Sequence, residues 1–287
     1  MGYRIGFDIG STTIKAVVLD ENNQICYKSY ERHKAQVRQK ALDKLVELKK
    51  YTKEPFKFAI SGSGALGLCE QGELPFVQEV FASATGVSKL YLETDCAIEL
   101  GGEDAKILFF QGSVEQRMNS TCAGGTGAFI DQMATLLNMS LEEMNEASLN
   151  YHRLYPIASR CGVFAKTDIQ PLINQGVDKC DLCASIFQAV VDQTITSLAQ
   201  GRKIEGNILF LGGPLYFLSG LRKRFVETLK LSDAQVNCPE TAINFVALGT
   251  SICADQEYTY DELYKALEDL VHAPAKLTES KPCLLYT

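Results

Sequence analysis

Short apolar runs alternate with amphipathic stretches along this chain, and the same order of segments occurs twice. The first third predicts three strands, a helix, a strand and a helix, at residues 3–9, 14–20, 24–30, 34–51, 56–61 and 77–90. Within 34–51, apolar residues recur at helical spacing among lysines, which is typical of an amphipathic surface helix. This part of the chain therefore predicts one α/β unit.

A second unit of the same kind begins at residue 93. It predicts three strands, a helical region, a strand and two helices, at residues 94–100, 105–110, 113–118, 126–201, 207–211, 219–230 and 241–254. A chain of 287 residues is long enough for two domains of about 100–150 residues each. We expect one domain over 1–93 with the C-terminal helices at about 241–272, a second over 94–240, and a tail over 273–287.

Two glycine-rich turns, each entered from an apolar run, occupy the same place in the two units. The first contains Gly10, Ser11, Thr12 and Thr13, and the second contains Gly101, Gly102, Glu103 and Asp104. Such turns bring backbone N–H groups against phosphate oxygens, and the nearby carboxylates of Asp8 and Asp104 suit a hydrated cation. A single turn of this kind needs no ligand. The pair predicts a nucleotide held between two halves of the molecule.

Composition restricts the class of protein. Hydrophobic residues make up 46% and charged residues 22% of the chain, which is ordinary for a globular protein. The net charge of −7 and the lack of a basic stripe argue against a nucleic-acid partner. No apolar run approaches the ~20 residues that span a bilayer, and the chain enters a strand at once instead of a signal peptide. We expect a cytoplasmic protein without a membrane segment.

Ten cysteines are present, and a reducing cytoplasm disfavours a disulfide framework. Five of them lie in or beside apolar stretches, where a small buried side chain is the simpler interpretation; these are Cys26, Cys69, Cys96, Cys238 and Cys253. Cys122 instead lies in a glycine-rich segment just before a predicted helix, and Cys161 follows Arg160 before another short helix. A helix N-terminus and a neighbouring cation both stabilise a thiolate. On local context alone, two unrelated free thiols remain an alternative.

Two further motifs have competing interpretations. Residues 61–67 contain G-x-G-x-x-G after a strand, but the glycine and proline at 72–75 end any helix within a turn or two, which excludes a Rossmann unit. This turn either lines the cleft between the domains or is only a turn. Cys180 and Cys183 form C-x-x-C at the start of a long helix, where a buried structural role is favoured over a redox or cluster role.

The paired turns resemble the phosphate loops of the superfamily of actin, sugar kinases and the seventy-kilodalton heat-shock chaperones. A third element of that superfamily, a strand running into Gly-Gly beside the adenosine, matches the segment 207–214. The resemblance implies an α/β, actin-like (ribonuclease H-like) ATPase fold with duplicated β-β-β-α-β-α domains around a nucleotide cleft. It implies that Asp8 and Asp104 position Mg²⁺ and the attacking water. The nucleotide-binding residues it implies are Gly10, Ser11, Thr12, Thr13, Lys15, Gly101, Gly102, Glu103, Gly212, Gly213 and Pro214.

Within that superfamily, residues 3 to about 255 resemble the activators of 2-hydroxyacyl-CoA dehydratases and their relatives in benzoyl-CoA reductase systems. The specific matches are Thr121-Cys122-Ala123-Gly124-Gly125-Thr126-Gly127-Ala128-Phe129-Ile130 and Cys161-Gly162-Val163-Phe164-Ala165-Lys166-Thr167-Asp168. The resemblance implies that Cys122 and Cys161 of two subunits hold one [4Fe–4S] cluster in a homodimer, so that four thiolates are supplied. It also implies ATP-coupled electron transfer from a donor such as ferredoxin or flavodoxin to a partner iron–sulfur dehydratase or reductase.

The second turn departs from the activators in having Glu103 where they commonly have glutamine, which adds a negative charge near the γ-phosphate. The alternative function is a small-molecule (carbohydrate) kinase of the same superfamily with incidental cysteines. A kinase needs a general base beside its acceptor hydroxyl, and no aspartate lies in a recognisable acceptor motif, although Asp104 could serve.

Overall fold

The computed structural model describes residues 2–119, 124–158 and 162–274, and these form two five-stranded sheets with helices around them. In spatial order the first sheet contains β3 (Ile25–Arg32), β2 (Thr13–Leu19), β1 (Arg4–Ile9), β4 (Phe56–Ser61) and β10 (Gln256–Tyr258). The second contains β7 (Glu115–Asn119), β6 (Ala105–Phe109), β5 (Cys96–Leu100), β8 (Ile208–Leu211) and β9 (Val236–Asn237). The predicted strands are therefore present.

The helices also follow the predicted pattern. They are α1 (Val37–Glu47), α2 (Leu66–Gly72), α3 (Glu79–Leu90), α4 (Gly127–Leu137), α5 (Leu141–Leu149), α6 (Gly162–Asn174), α7 (Lys179–Thr194, continuing as a π-helix over Ile195–Ala199), α8 (Gly213–Phe217), α9 (Ser219–Leu229), α10 (Phe245–Cys253) and α11 (Tyr260–His272). Short 3₁₀ turns lie at Lys49–Tyr51, Asp233–Gln235 and Ala242–Asn244.

The two sheets repeat one topology. In each, three strands form an antiparallel meander, and the first strand also pairs in parallel with the fourth. Their registers correspond: Asp8 on β1 is opposite Lys15 on β2, and Glu99 on β5 is opposite Lys106 on β6. Each half therefore places a carboxylate and a lysine side by side at the turn that joins its first two strands.

The fifth strand position is where the halves differ. In the second sheet β9 runs parallel to β8. In the first sheet the short β10, which lies near the C-terminus in sequence, pairs antiparallel with the start of β4. Near the other end of β4, Ile60 makes a parallel bridge with Phe76. Neither β9 nor β10 was predicted, because two or three half-exposed residues carry no periodicity.

Helices α3 and α10 lie between the sheets and share one buried cluster with β2, β5, β6 and β8. Their backbones approach closely, because a β-carbon on Gly249 of α10 would overlap the carbonyl of Ala82 on α3. A β-carbon on Gly6 of β1 would likewise overlap the backbone of α10 at Ala247. Helix α10 thus packs against α3 and against β1 of the first sheet with little intervening side chain.

The C-terminal helix α11 packs on α1 and α2. Arg38 on α1 donates hydrogen bonds from Nη1 to the carbonyls of Leu270 (2.9 Å) and Ala273 (2.6 Å), which gives carbonyl groups at the C-terminal end of α11 a hydrogen-bond partner.

The long segment α7 differs from expectation. Lys179–Ala199 is long and apolar enough to cross a membrane by length and composition, although the sequence predicted no such run. It packs on α5 and α9, and 72% of its most apolar window is buried inside the fold, as for a core helix.

Candidate functional site

The two glycine-rich turns have the same internal geometry and face each other. The N–H of Gly10 donates to the carbonyl of Thr13 at 2.9 Å, and the N–H of Gly101 donates to the carbonyl of Asp104 at 2.8 Å. The position that a β-carbon on Gly102 would take lies 3.6 Å from Thr12 Oγ1 and 3.9 Å from Ser11 Oγ. Hydroxyl groups of the first turn and backbone of the second therefore line one gap.

The third glycine element closes another side of this gap. Gly212 has φ of +87°, and a β-carbon there would overlap the carbonyl of Leu100 at the end of β5. It opens the short helix α8, in which Pro214 lies close to Gly127. The structure thus brings Gly212, Gly213 and Pro214 beside the second turn.

The second turn is also attached to helix α4. The N–H groups of Gly127 and Ala128, in the first turn of α4, donate to the carbonyls of Gly101 (3.0 Å) and Gly102 (2.8 Å). A shift of the second turn would therefore act directly on the N-terminal end of α4.

Asp8 and Lys15 form a buried ion pair beneath the first turn. Lys15 Nζ lies 2.7 Å from Asp8 Oδ2, and Asp8 is only 3% exposed. Burial alone would lower the pKa of Lys15, but the Asp8 carboxylate outweighs it and raises that pKa above its ordinary value.

Behind the turn, the ring nitrogen Nε2 of buried His33 lies 3.0 Å from the Gly10 carbonyl, and the backbone N–H of His33 donates to the Thr12 carbonyl. Sequence reasoning missed His33, which has no motif around it.

Lys106 is the centre of a charge cluster in the second half. Its Nζ contacts a carboxylate oxygen of Glu79, lies 2.7 Å from Asp104 Oδ2 and lies 3.5 Å from Glu99 Oε1. Burial opposes the charge on Lys106, but these three carboxylates raise its pKa well above the ordinary value. Burial raises the pKa of Glu99, which also accepts a hydrogen bond from Ser83 at 3.0 Å.

Glu99 and Glu79 were both missed as site residues. Glu99 is the counterpart of Asp8 in strand register and begins the pattern Glu99-Leu100-Gly101-Gly102, so a comparison of the two halves could have found it. Glu79 reaches the cluster from α3, far from either turn in sequence, and no local pattern marks it. Asp104, which the sequence analysis paired with Asp8, lies within the second turn itself, and Glu103 is exposed at the tip of that turn.

The turn at 61–67 packs against the end of β1 and contacts the charge cluster through Glu79. The N–H of Gly64 donates to the Ile9 carbonyl at 2.8 Å, and the N–H of Ser63 donates to Glu79 Oε1 at 2.9 Å. Glu79 therefore connects this turn of the first half with Lys106 of the second. The following helix α2 has only seven residues, in agreement with the exclusion of a Rossmann unit.

The two cysteines predicted as cluster ligands, Cys122 and Cys161, lie outside the described residues. Their nearest described neighbours are Gly124 and Gly162, ahead of or at the start of α4 and α6. A β-carbon on Gly162 would lie 3.0 Å from Gln132 Oε1 and 3.9 Å from the ring of Phe129, so α6 begins against the side of α4. Within the described ranges, no three His, Cys, Asp or Glu side chains form a metal-binding group.

The C-x-x-C pair has the environment of a structural motif. Cys183 is fully buried in the core of the second half, and burial raises the pKa of its thiol to about 12. Burial and the nearby Asp178 also raise the pKa of Cys180. Both effects disfavour the thiolate that redox chemistry or metal binding requires.

Comparison with known proteins identifies the family and several proteins similar to this chain. The model of the BadF/BadG/BcrA/BcrD ATPase family matches residues 5–254. The (R)-2-hydroxyglutaryl-CoA dehydratase activating ATPase of Acidaminococcus fermentans is 26% identical over 215 residues, covering 74% of this chain and 82% of that protein. The activator of lactoyl-CoA dehydratase of Anaerotignum propionicum is 29% identical over 217 residues, covering 74% and 83%.

A solved structure gives the same result for the fold. The activator of the 2-hydroxyisocaproyl-CoA dehydratase from Clostridium difficile, with bound ADPNP, superposes with a TM-score of 0.76 at 25% identity. The match covers 96% of this chain and 99% of that one. The α/β, actin-like ATPase fold predicted from the sequence is therefore confirmed.

Proposed function

The chain belongs to the BadF/BadG/BcrA/BcrD ATPase family, and we propose that it is an ATP-hydrolysing activator of a partner iron–sulfur enzyme. The partner would be a 2-hydroxyacyl-CoA dehydratase or a related reductase, because the similar proteins are named as activators of such dehydratases. Hydrolysis in the cleft would drive transfer of an electron to that partner.

The observation that carries this proposal is the direct connection between the second turn and α4. The carbonyls of Gly101 and Gly102 accept hydrogen bonds from the first turn of the helix that follows Cys122. The helix that follows Cys161 starts against the side of the same α4. A change in the phosphate region would thus reach the start of α4 through backbone hydrogen bonds, and the start of α6 through side chains of α4.

The residues present fit a shared iron–sulfur cluster. Each chain offers two cysteines that precede helices packed together, and thiolate is the ligand that a [4Fe–4S] cluster takes, usually four times. Cys122 and Cys161 of two copies would supply this number in a homodimer with an isologous interface. When bound, such a cluster supplies one-electron transfer at low potential.

The roles proposed in the cleft follow from charge and position. Asp8 would hold hydrated Mg²⁺, and Lys15 would pair with a phosphate oxygen once the nucleotide competes for it. Ser11, Thr12 and Thr13 would donate hydrogen bonds to phosphates, and Gly102 lets the chain approach without a side chain. Asp104, oriented by Lys106, would position the attacking water. Phosphoryl transfer needs little more than such positioning and charge neutralisation.

The remaining parts of the proposal concern location and partners. We place the protein in the cytoplasm, with ferredoxin or flavodoxin as the class of electron donor and without nucleic-acid or membrane partners. The two bodies that move would be residues 1–93 with 241–272, and residues 94–240. Glu79 and the pair α3 and α10, which contact both halves, would lie at their junction.

Replacing Gly102 with valine tests the cleft. The added side chain would project into the gap between the turns, where the first atom met is Thr12 Oγ1 at 3.6 Å, so the fold should tolerate it. We expect the KM for Mg-ATP to rise at least about tenfold because the phosphates lose close backbone approach. Steady-state kinetics measure this, and thermal unfolding should shift by no more than for Gly67→Ala, a helical glycine with open space around it. An unchanged KM would place the nucleotide elsewhere.

The same assay separates the activator from the carbohydrate kinase. A panel of sugars and amino sugars should leave ATP turnover unstimulated, with inorganic phosphate accounting for all ATP consumed. Stoichiometric formation of a phosphosugar would establish the kinase instead.

A further inference from the structure

An irregular segment, residues 152–158, comes shortly before Cys161 in the chain and forms neither helix nor strand. We call it the strap. Its N–H groups donate hydrogen bonds to side chains of two helices. Asp181 Oδ1 on α7 accepts from His152 (2.7 Å) and Arg153 (3.0 Å), Ser185 Oγ on α7 accepts from Tyr155 (2.8 Å), and Asp168 Oδ2 on α6 accepts from Ala158 (2.7 Å).

The strap follows α7 toward the C-terminal end of that helix. It meets α7 first at Asp181 and then at Ser185, one turn later, and residues 154–158 line a groove together with Asp192. Since an α-helix rises about 1.5 Å per residue, these contacts extend over roughly 16 Å of the helix. The end of the strap, three residues before Cys161, is therefore near the last turn of α7.

The segments on both sides of Cys122 meet the same end of α7. After Cys122, the position of a β-carbon on Gly125 lies 3.2 Å from Gln193 Cγ and 3.6 Å from Thr194 Oγ1. Before Cys122, Arg117 on β7 donates to carbonyl groups of the π-helix that continues α7. A π-helix is rare and often lies at a functional site. One core helix thus supports the segments that flank both predicted ligands.

Ser185 forms the buried contact in the middle of the strap. The residue is 1% exposed, and its hydroxyl donates to the Asp181 carbonyl at 2.6 Å while it accepts from the N–H of Tyr155. The hydroxyl hydrogen is therefore committed to the helix, and a lone pair holds the strap. Because α7 lies in the core of the second half, this bond fixes the strap to the body of that half.

Asp168 forms the contact nearest to Cys161. It lies in the second turn of α6, and its bond to Ala158 joins two residues that are ten positions apart. Cys161 lies between these two residues in sequence. The chain before Cys161 is thus tied to the helix after it by groups of the protein alone.

On the basis of the proposed function, we propose that Ser185 and Asp168 are positioning residues for Cys161. They hold the strap along α7 and against α6, so that Cys161 is held relative to Cys122 before iron binds. Neither side chain is a ligand. Groups that orient the ligands of a metal are often needed for tight binding, because a ligand set held in advance loses less freedom on binding.

The test uses three variants and two matched controls of the full chain. Ser185→Ala and Asp168→Ala each remove one acceptor, whereas Asp168→Asn keeps an oxygen that can accept from Ala158. The first control is Ser251→Ala, because Ser251 is also buried but its hydroxyl donates to a carbonyl of its own helix. The second is Gln170→Ala, an exposed residue of α6 whose amide donates to Asn174 on the same helix.

Two measurements are made on each protein. In the iron-free form, amide hydrogen exchange of the strap should become at least about tenfold faster in Ser185→Ala and Asp168→Ala, because each loses an acceptor that protects an amide. In the anaerobically loaded form, iron release to a chelator should also become at least about tenfold faster, the size of effect typical of groups that orient metal ligands. Asp168→Asn and both controls should stay within about twofold of the wild type in both measurements.

Faster exchange of the strap with unchanged iron release would overturn the positioning role and leave the strap a purely structural element. Equal acceleration of iron release in the controls would also overturn it, since the cause would then be a general loss of stability. A wild-type protein that holds no iron after anaerobic loading would instead overturn the cluster, and with it the proposed function on which this inference rests.

Discussion

Asp8→Asn should lower Mg-ATP hydrolysis by about 100-fold or more, a loss typical of removing one group that stabilises charge in the transition state. The neutral amide keeps the shape of the side chain but neither attracts a cation nor neutralises Lys15, its partner at 2.7 Å. The freed ammonium would hold the phosphates in place, so ATP should still bind. Single-turnover phosphate release, with nucleotide binding measured alongside, separates the two effects.

Stability must be controlled in this experiment, because removal of one partner of a buried ion pair costs about 3–5 kcal/mol. The double variant Asp8→Asn/Lys15→Met removes both charges and should recover stability without recovering hydrolysis. Asp181→Asn is the matched control. Asp181 is also buried, but it accepts hydrogen bonds from the backbone of His152 and Arg153, far from the turns, so turnover should stay normal. Full turnover by Asp8→Asn would remove the mechanism proposed for the first turn.

Cys122→Ser and Cys161→Ser should each abolish the iron content of anaerobically purified protein. A hydroxyl is not ionised near neutral pH and is a poor ligand for iron, and each substitution removes two of the four thiolates in the dimer. The absorption of the cluster should disappear, and the dimer should dissociate more readily in gel filtration.

The control is the double variant Cys180→Ser/Cys183→Ala. Cys183 is buried with a raised pKa, so neither thiol of this pair is suited to binding iron. This variant should keep its iron and its dimer. Retention of a full cluster by Cys122→Ser, or loss of iron from the control, would contradict the ligand assignment.

The sequence predicted most of the fold because both halves carry strong periodic signals. Local sequence patterns are enough to predict the buried strands at 3–9 and 94–100, the amphipathic helix at 34–51 and the two turns. The helix α10, mostly buried and close to α3, was also recovered from its apolar run. What the sequence could not show was the supply of β10 from the C-terminus to the first sheet, because only tertiary pairing makes that three-residue segment a strand.

The site was recovered less completely, for a related reason. The glycines of both turns and the hydroxyls of the first turn lie in continuous motifs, so the sequence marks them directly. Glu79 and His33 reach the turns from a helix and from the end of a strand, through side chains whose direction depends on packing. Their roles follow from three-dimensional contacts that no spacing along the chain encodes.

The iron and sulfide content of anaerobically purified wild-type protein, measured together with its native mass, tests whether two chains share one cluster. We expect a homodimer with about four irons and four sulfides shared by two chains, since each chain provides two thiolates. Four irons on each single chain would contradict the shared cluster. So would a monomer that activates its partner enzyme without iron.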